Sequence, residues 1–600
     1  MSQCVELIER LSLSMHRRRV PHPFITRLFP IPPITRENSA TENLTDPLAT
    51  QPSPEVPKNA PKKVQPVGFA YWMPRVLEEW DRASEGFAAD PVHDLRVSLR
   101  RCRSMADGLL AVDPDPAWRE MKKAGKRLFS SLGELRDVQV MMEWVEKLGP
   151  PDDAETTALH ALLVQREREH KVTAAEALQE FDRKQWRKWA HSLPPRAARI
   201  RRGSPIFLHL ALERWSAAYD LHKRALRSRS QTAFHNLRIG IKRFRYIVEN
   251  FLPQQHEAWG NDLKEMQDVL GEVHDFDVLW ATAVQVNAFT DSGSRQQWRA
   301  RIVAERDQRL ARYRERMVGP ESLWRGWRAE LPQGEAVRQT ALARMKLWAS
   351  LLDPDFRHAQ RVARFATQIL DELTRLGLSS APDHERLRRV LLLAAYTHDV
   401  GLVKRASGHH KKSARMLQRL PAPLGWPVDE LKQAAVVARF HRGALPHPRH
   451  KDLHTLPAEQ RRPTIFLASI LRLANAFDTL RDGRVARLRF EPQNGQLVLW
   501  ADGLVPMTRN AEKVSGARYL LETWLRRPIV VKPWVHHARP RGAKPRVASA
   551  QPGIAPSKKV QTLHGFAPKL LPNESHAPDG RATPPAKLVV LRRAGQIRRP

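Results

Sequence analysis

The feature that most constrains this chain is a pattern it carries twice. VHDLRVSLRRCRSMADGL begins at Val92 and FHNLRIGIKRFRYIVENF begins at Phe234. Each places a histidine first and basic residues three, seven, eight and ten positions later, with aliphatics between; from His93 to His235 is 142 residues. A second pair follows in the same order: SLGELRDVQVM at 131–141 and VLGEVHDFDVL at 269–279, 138 residues apart. Two unrelated motifs recurring in one order at nearly one separation imply a duplicated helical module. Each copy has a basic helix and, later, an LGE-x-x-D helix.

Successive residues turn about 100° on a helix, so positions 0, 3, 7 and 10 share one side. In the first copy these are His93, Arg96, Arg100 and Arg103, and in the second His235, Arg238, Lys242 and Arg245, with Arg101 and Arg243 widening the rows. Leu95, Val97, Leu99 and Met105, and Leu237, Ile239, Ile241 and Phe244, suit a core on the other side. Lys122, Lys123, Lys126 and Arg127 precede the first LGE and Lys264 the second. A row so poor in acids repels itself unless an anion or neighbouring carboxylates screen it, and Glu134, Asp137, Glu272 and Asp275 are the internal candidates. The whole chain has a formal net charge of +36, which points the same way, towards a polyanion. No aromatic stands in the cationic rows. Arginine forks and lysine point charges suit phosphate oxygens without regard to bases, so a chain of phosphates fits better than a base-reading surface.

Residues 65–345 resemble the CHAD domain, a helical family of two four-helix halves around a basic cavity. Its pattern H-x-x-R-x-x-x-[RK]-[RK]-x-[RK] is met in full by His93, Arg96, Arg100, Arg101 and Arg103, and by His235, Arg238, Lys242, Arg243 and Arg245. The LGELRD and LGEVHD segments match its other recurring element. The resemblance implies inorganic polyphosphate as ligand, and Lys122, Lys126 and Lys264 are expected to add to the same surface. The halves are expected at about 65–195 and 205–345, broken by the proline-rich segment SLPPRAARIRRGSP at 192–205.

Residues 346–534 are helical again and rich in histidine. AAYTHDVG at 394–401 ends an apolar helix with His398 and Asp399, an imidazole and a carboxylate suited to a divalent metal. Partners come from His358 in FRHAQRVARFA, Asp478 in SILRLANAFDTL, and the histidines His409, His410 and His441 between them. This order resembles the HD superfamily, and more closely the helical C-terminal region of the exopolyphosphatase and guanosine pentaphosphate phosphohydrolase family. GHHKKS at 408–413, FHR at 440–442 and LASILRLANAFD at 467–478 carry the match. It implies His358, His398, Asp399 and Asp478 as metal ligands. Asp399, His410 and His441 are implied as catalytic, the two histidines as outer ligands or phosphate contacts with Arg442 nearby. Lys412 stands where that family often has histidine, which would lower the ligand number and forbid a second metal. The actin-like half of those phosphatases has no counterpart before residue 346, so any hydrolysis falls to the HD core. Magnesium, manganese or a similar divalent ion is the implied cofactor. VARLRFEPQNGQLVLWADG at 485–503 alternates around Asn494-Gly495, a hairpin signal.

The expected architecture is therefore mainly α: a duplicated antiparallel four-helix module, an HD-like helical domain and a small β-hairpin. Residues 1–64, rich in Pro, Ser, Thr and Asn over 36–62, and residues 535–600, which mix Pro, Gly, Ala, Lys and Arg without sustained periodicity, read as disordered. Only Cys4 and Cys102 are present, so no disulfide framework or cysteine zinc site is available. VLLLAAY at 390–396 is too short to span a bilayer, and Glu6 and Glu9 interrupt any export signal; the expectation is a cytoplasmic protein, associated with polyphosphate granules and not with membrane. The function expected is polyphosphate binding with metal-dependent phosphohydrolysis of polyphosphate or a phosphorylated nucleotide. The alternatives are a non-enzymatic granule-targeting scaffold and a general nucleic-acid binder.

Overall fold

The computed structural model describes residues 68–85, 89–150, 153–379, 383–403 and 407–534. The leader at 1–64 and the tail at 535–600 lie outside them. The chain divides into two units, Met1–Leu352 with Pro421–Pro427, and Asp353–Leu420 with Val428–Pro600. The first unit ends beyond the expected boundary at 345 because the helix Glu335–Leu352 packs against Pro205–Ser228 of the same unit.

The first unit repeats one four-helix arrangement. In the first copy it is α1 (Phe69–Ser84), α2 (Ala89–Leu110), α4 (Lys126–Leu148) and α5 (Ala154–Gln179), with the short α3 (Ala117–Ala124) inserted. After α6 (Arg183–Ala198), the second copy runs α7 (Pro205–Ser228), α8 (Gln231–Phe251), α9 (Pro253–Gln285) and α10 (Ser292–Met317), followed by α11 (Leu323–Ala329) and α12 (Glu335–Leu352). The duplicated basic helices are α2 and α8; the LGE segments lie in α4 and α9. Their apolar sides meet in one core: Leu95, Leu99, Leu135, Leu237, Ile241 and Val273 are all buried within a single cluster. Beyond the LGE segments, Val138, Met141 and Val145 of α4 pack with Phe276, Leu279 and Ala283 of α9. The two copies thus complete each other's burial.

The helices of the two halves are separated within the segment 192–205, after its two adjacent prolines. Pro194 and Pro195 lie inside α6, and the turn comes at 199–204, with Gly203 in the left-handed region (φ 72°). Trp186, Trp189 and Leu193 are buried, and the Trp186 indole donates to the Met73 carbonyl (3.0 Å). That anchorage on α1 outweighs the hydrogen bonds the prolines cannot make.

The second unit packs α13 (Phe356–Arg375), α14 (His384–Thr397), α16 (Val428–Arg439) and α18 (Ala458–Ala476) around buried aliphatics, with the 3₁₀ turn Val400–Val403, α15 (His409–Arg419) and the short α17 (Lys451–His454) between them. The expected hairpin is present: β1 (Arg487–Gln493) and β2 (Gln496–Asp502) pair antiparallel, Arg487 opposite Asp502. Asn494 (φ 48°) and Gly495 (φ 79°) both take the positive φ that a type I′ turn needs. A third strand, β3 (Ile529–Pro533), adds parallel to β2. Parallel pairing needs a crossover, supplied by α19 (Arg509–Ala517) and α20 (Tyr519–Leu525). No helix among the described residues is long and apolar enough to cross a membrane.

Candidate metal centre and anion cleft

The two basic rows converge. Lys242 on α8 is held down to about 8, first by burial and then by the charges of Arg238 beside it and of Arg100 and Arg96 on α2; Asp137 opposes them. Arg96 feels Arg100 and Asp137 in turn. Among the described residues, none of Arg96, Arg100, Arg238 and Lys242 forms an ion pair, although the charge of Asp137 reaches Arg96, Arg238 and Lys242. Asp275 on α9 lies within their field, yet burial lifts its carboxyl to about 6 against the pull of Arg238. Asp137 is open to solvent and is also raised, by burial first. Phe129 lies under Arg96 and Arg103 at 6.0 and 5.0 Å from ring centre to guanidinium.

The remaining cations of the rows are placed differently. Glu249 pairs with Arg101 and, at 3.9 Å, with Arg245. Arg103 donates to the Lys122 carbonyl, and the Lys122 ammonium pairs with Asp107. Lys264 pairs with Asp268 at 3.1 Å. Arg243 is exposed, and its charge adds to the burial that lowers Arg214. His93 is exposed at the mouth of a cavity of about 290 Å³ that Arg96 and Arg136 also line. His235 Nδ1 lies 3.3 Å from His274 Nδ1. Lys126 is exposed.

In the second unit the chain gathers its histidines around one carboxylate. Asp399 is buried at the end of α14. Its Oδ1 lies 3.0 Å from His409 Nε2, 3.6 Å from His441 Nε2 and 3.7 Å from His398 Nε2; its Oδ2 lies 3.9 Å from His358 Nε2. Two groups could each hold a metal ion, His358–His398–Asp399 and Asp399–His409–His441. The tautomers follow from the backbone. His398 Nδ1 donates to the Ala395 carbonyl (2.7 Å) and His441 Nδ1 to the Ala438 carbonyl (2.8 Å). Burial depresses the pKa of both imidazoles and keeps them neutral. Their Nε2 lone pairs therefore point at an ionised carboxylate. Acceptors facing an acceptor repel unless a cation lies between them, so the donor set fits a divalent metal.

Asp478 stands one step back. It accepts from His358 Nδ1 (2.7 Å) and from Arg361 Nε (2.8 Å), and so orients the His358 ring. Both metal-capable groups contain neither Asp478 nor His410. His410 follows His409 on α15 and its ring lies against Gly443, with Nδ1 buried and unpartnered. Burial, and then Arg439, lowers its pKa to about 4. Which of the two adjacent histidines turns inward is set by Gly401. A methyl there would stand 2.4 Å from the His409 carbonyl and 2.7 Å from the Ser413 nitrogen, and the Gly401 N–H donates to Ser413 Oγ (2.9 Å). This backbone contact seats the first turn of α15 against the HD turn. Lys412 belongs to neither group. The centre opens into a cleft of about 770 Å³ whose wall carries Arg442, Arg472, Arg481, Arg509 and Lys513. Of these, sequence reasoning named only Arg442. Arg481 donates to Asp399 Oδ2 at 2.9 Å, and no spacing rule flags it.

Comparisons with known proteins follow the same division. The CHAD domain family matches residues 73–284, and the family described as Ppx/GppA phosphatase, domain III, matches residues 337–497. Among solved structures, the CHAD domain from the plant Ricinus communis is 22% identical, covering 45% of this chain and 89% of that one, with a TM-score of 0.31. No curated protein matches. The chain therefore carries a CHAD domain followed by a Ppx/GppA phosphatase domain III.

Proposed function

We propose that this protein binds inorganic polyphosphate in the first unit and hydrolyses phosphoanhydride bonds, of polyphosphate or of a phosphorylated nucleotide, in the second. The observation that carries the reading is the pair of imidazole lone pairs, of His398 and His441, facing Asp399 in a cleft walled by five cations. When bound there, a divalent ion such as magnesium or manganese supplies charge to a phosphate oxygen and activates water. His358, His398, His409, His441 and Asp399 are the residues that would hold it. The chain's own work is orientation: Asp478 fixes the ring of His358, and backbone carbonyls fix those of His398 and His441. Arg442 and Lys513 on the cleft wall would seat phosphate oxygens. In the first unit, Arg96, Arg100, Arg238 and Lys242 lack partners of their own, which supports an anion with closely repeated charges as the missing component.

The test combines metal content with turnover. The full-length protein should retain a divalent ion and release phosphate from long-chain polyphosphate or guanosine pentaphosphate, and Asp399→Ala should lose both. Turnover that survives loss of the metal rejects the centre. Metal binding with no turnover on either substrate leaves the scaffold reading in place. Competition with single-stranded DNA at several salt concentrations decides the ligand of the first unit; DNA preferred near physiological salt would reject polyphosphate.

A further inference from the structure

We propose that Arg481 is a built-in substitute for a second metal ion, so that the centre takes a single divalent cation although Asp399 is shared by two metal-capable groups. The inference rests on the metal-centre reading above. Paired metal ions in hydrolytic sites lie about 3.5–4 Å apart, and here Asp399 is the one carboxylate common to both groups. Its two oxygens are not equivalent. Oδ1 faces His398, His409 and His441, whereas Oδ2 faces His358 Nε2 at 3.9 Å and accepts from Arg481 Nη2 at 2.9 Å. The guanidinium therefore stands where a second ion would reach Asp399 through Oδ2.

Its surroundings are those of a cation site. Arg481 Nη1 donates to Asp355 Oδ2 at 2.8 Å. Asp353 is only 6% exposed, its Oδ2 is buried without a hydrogen-bond partner, and it lies within the fields of Asp399 and Arg481. One guanidinium is thus set among three carboxylates, 353, 355 and 399. Arg481 is also fixed in place. Its backbone holds the left-handed conformation (φ 57°), its N–H donates to the Asp478 carbonyl (3.0 Å), and its own carbonyl accepts from Arg361 Nη2 (3.2 Å). Arg361 in turn binds Asp478, the residue behind His358. A non-glycine residue seldom holds positive φ, and here that conformation keeps the cation on Asp399. Its side chain is 38% exposed and lines the cleft, with at least one of its five N–H donors directed away from the two carboxylates that hold it.

The experiment is metal stoichiometry, read on full-length protein loaded with Mn²⁺ by elemental analysis and electron paramagnetic resonance. Wild type should bind one ion per chain and give the six-line spectrum of isolated Mn²⁺. Arg481→Met removes the charge and leaves three acids around the vacated space, so it should bind two ions and show an exchange-coupled spectrum. Arg481→Lys keeps a cation and should stay at one. Two ions in wild type, or one ion in a folded Arg481→Met, overturns the proposal while leaving the metal centre intact. No ion in wild type overturns the metal-centre reading itself. If Arg481→Met does not fold, the other two proteins decide: one ion in both supports the substitution of metal by arginine, and two in either refutes it.

Discussion

If the first unit binds polyphosphate as proposed, Lys242 makes its affinity fall as pH rises from 7 to 9. Its ammonium sits at about 8 in the free protein, against an ordinary value of 10.5, because burial and three arginines disfavour the charge. A bound polyanion reverses that balance and returns the group towards its ordinary value. Near pH 7 the lysine is charged in both states and binding is unaffected. At pH 9 roughly one free molecule in ten carries the charge, so affinity should fall about tenfold from its value at pH 7, with uptake of about 0.9 proton on binding. Isothermal titration calorimetry with long-chain polyphosphate, in buffers of different ionisation enthalpy, measures both quantities at once. Long chains keep the titration of the phosphate termini negligible. Lys242→Arg should abolish the proton uptake and flatten the profile, since a guanidinium stays charged throughout. Equal affinities at pH 7 and 9 for wild type, or a slope that persists in Lys242→Arg, would refute the facing-row argument.

Three further outcomes are expected. The Asp275 carboxyl is raised to about 6 from 3.8, so its favourable contribution is present at low pH and is lost as pH rises through about 6; Asp275→Asn should raise the melting temperature relative to wild type at pH 8 and not at pH 4, by differential scanning calorimetry. Asp478→Ala removes the acceptor behind His358 and should weaken metal affinity about 10–100-fold in chelator competition, with circular dichroism unchanged. Gly401→Ala forces a methyl into the α15 backbone and should cost about 1–3 kcal/mol in denaturant unfolding, and it should also weaken metal binding because His409 moves with that turn.

Much of the architecture was legible because it is periodic or chemically unambiguous. The two basic helices, their apolar sides and the Asn494-Gly495 hairpin all follow from spacing and turn chemistry. What escaped depends on contacts between distant segments. Local spacing puts Arg101 and Arg245 in the same rows as Arg96 and Lys242, yet Glu249 claims Arg101 across the helix interface and Arg245 one turn back on its own helix, and leaves the second two unpaired. The doublet His409–His410 offers two equivalent candidates to a reader of the sequence, and only the close approach of Gly401 to α15 selects between them. Asp478 is easily recognised as an acid at the end of an apolar helix, but whether it faces an ion or an imidazole is a matter of ångströms. Arg481 lies in an unremarkable turn, TLRDG, and acquires its position from a left-handed backbone that the residue type does not favour. Pro194 and Pro195 stay helical although their residue type disfavours it, because tertiary anchoring by tryptophans overrides a strong local signal.

Duplication does not have to yield equal halves. Seven positions after the histidine, one half holds Arg100 and the other Lys242. A guanidinium cannot release its proton under any condition a cell provides, whereas a crowded ammonium can, so a single residue on one side of the pseudo-symmetric receptor governs how alkalinity loosens its grip. Exchanging the two, with lysine at 100 and arginine at 242, would preserve total charge while asking whether each half supplies the same electrostatic environment.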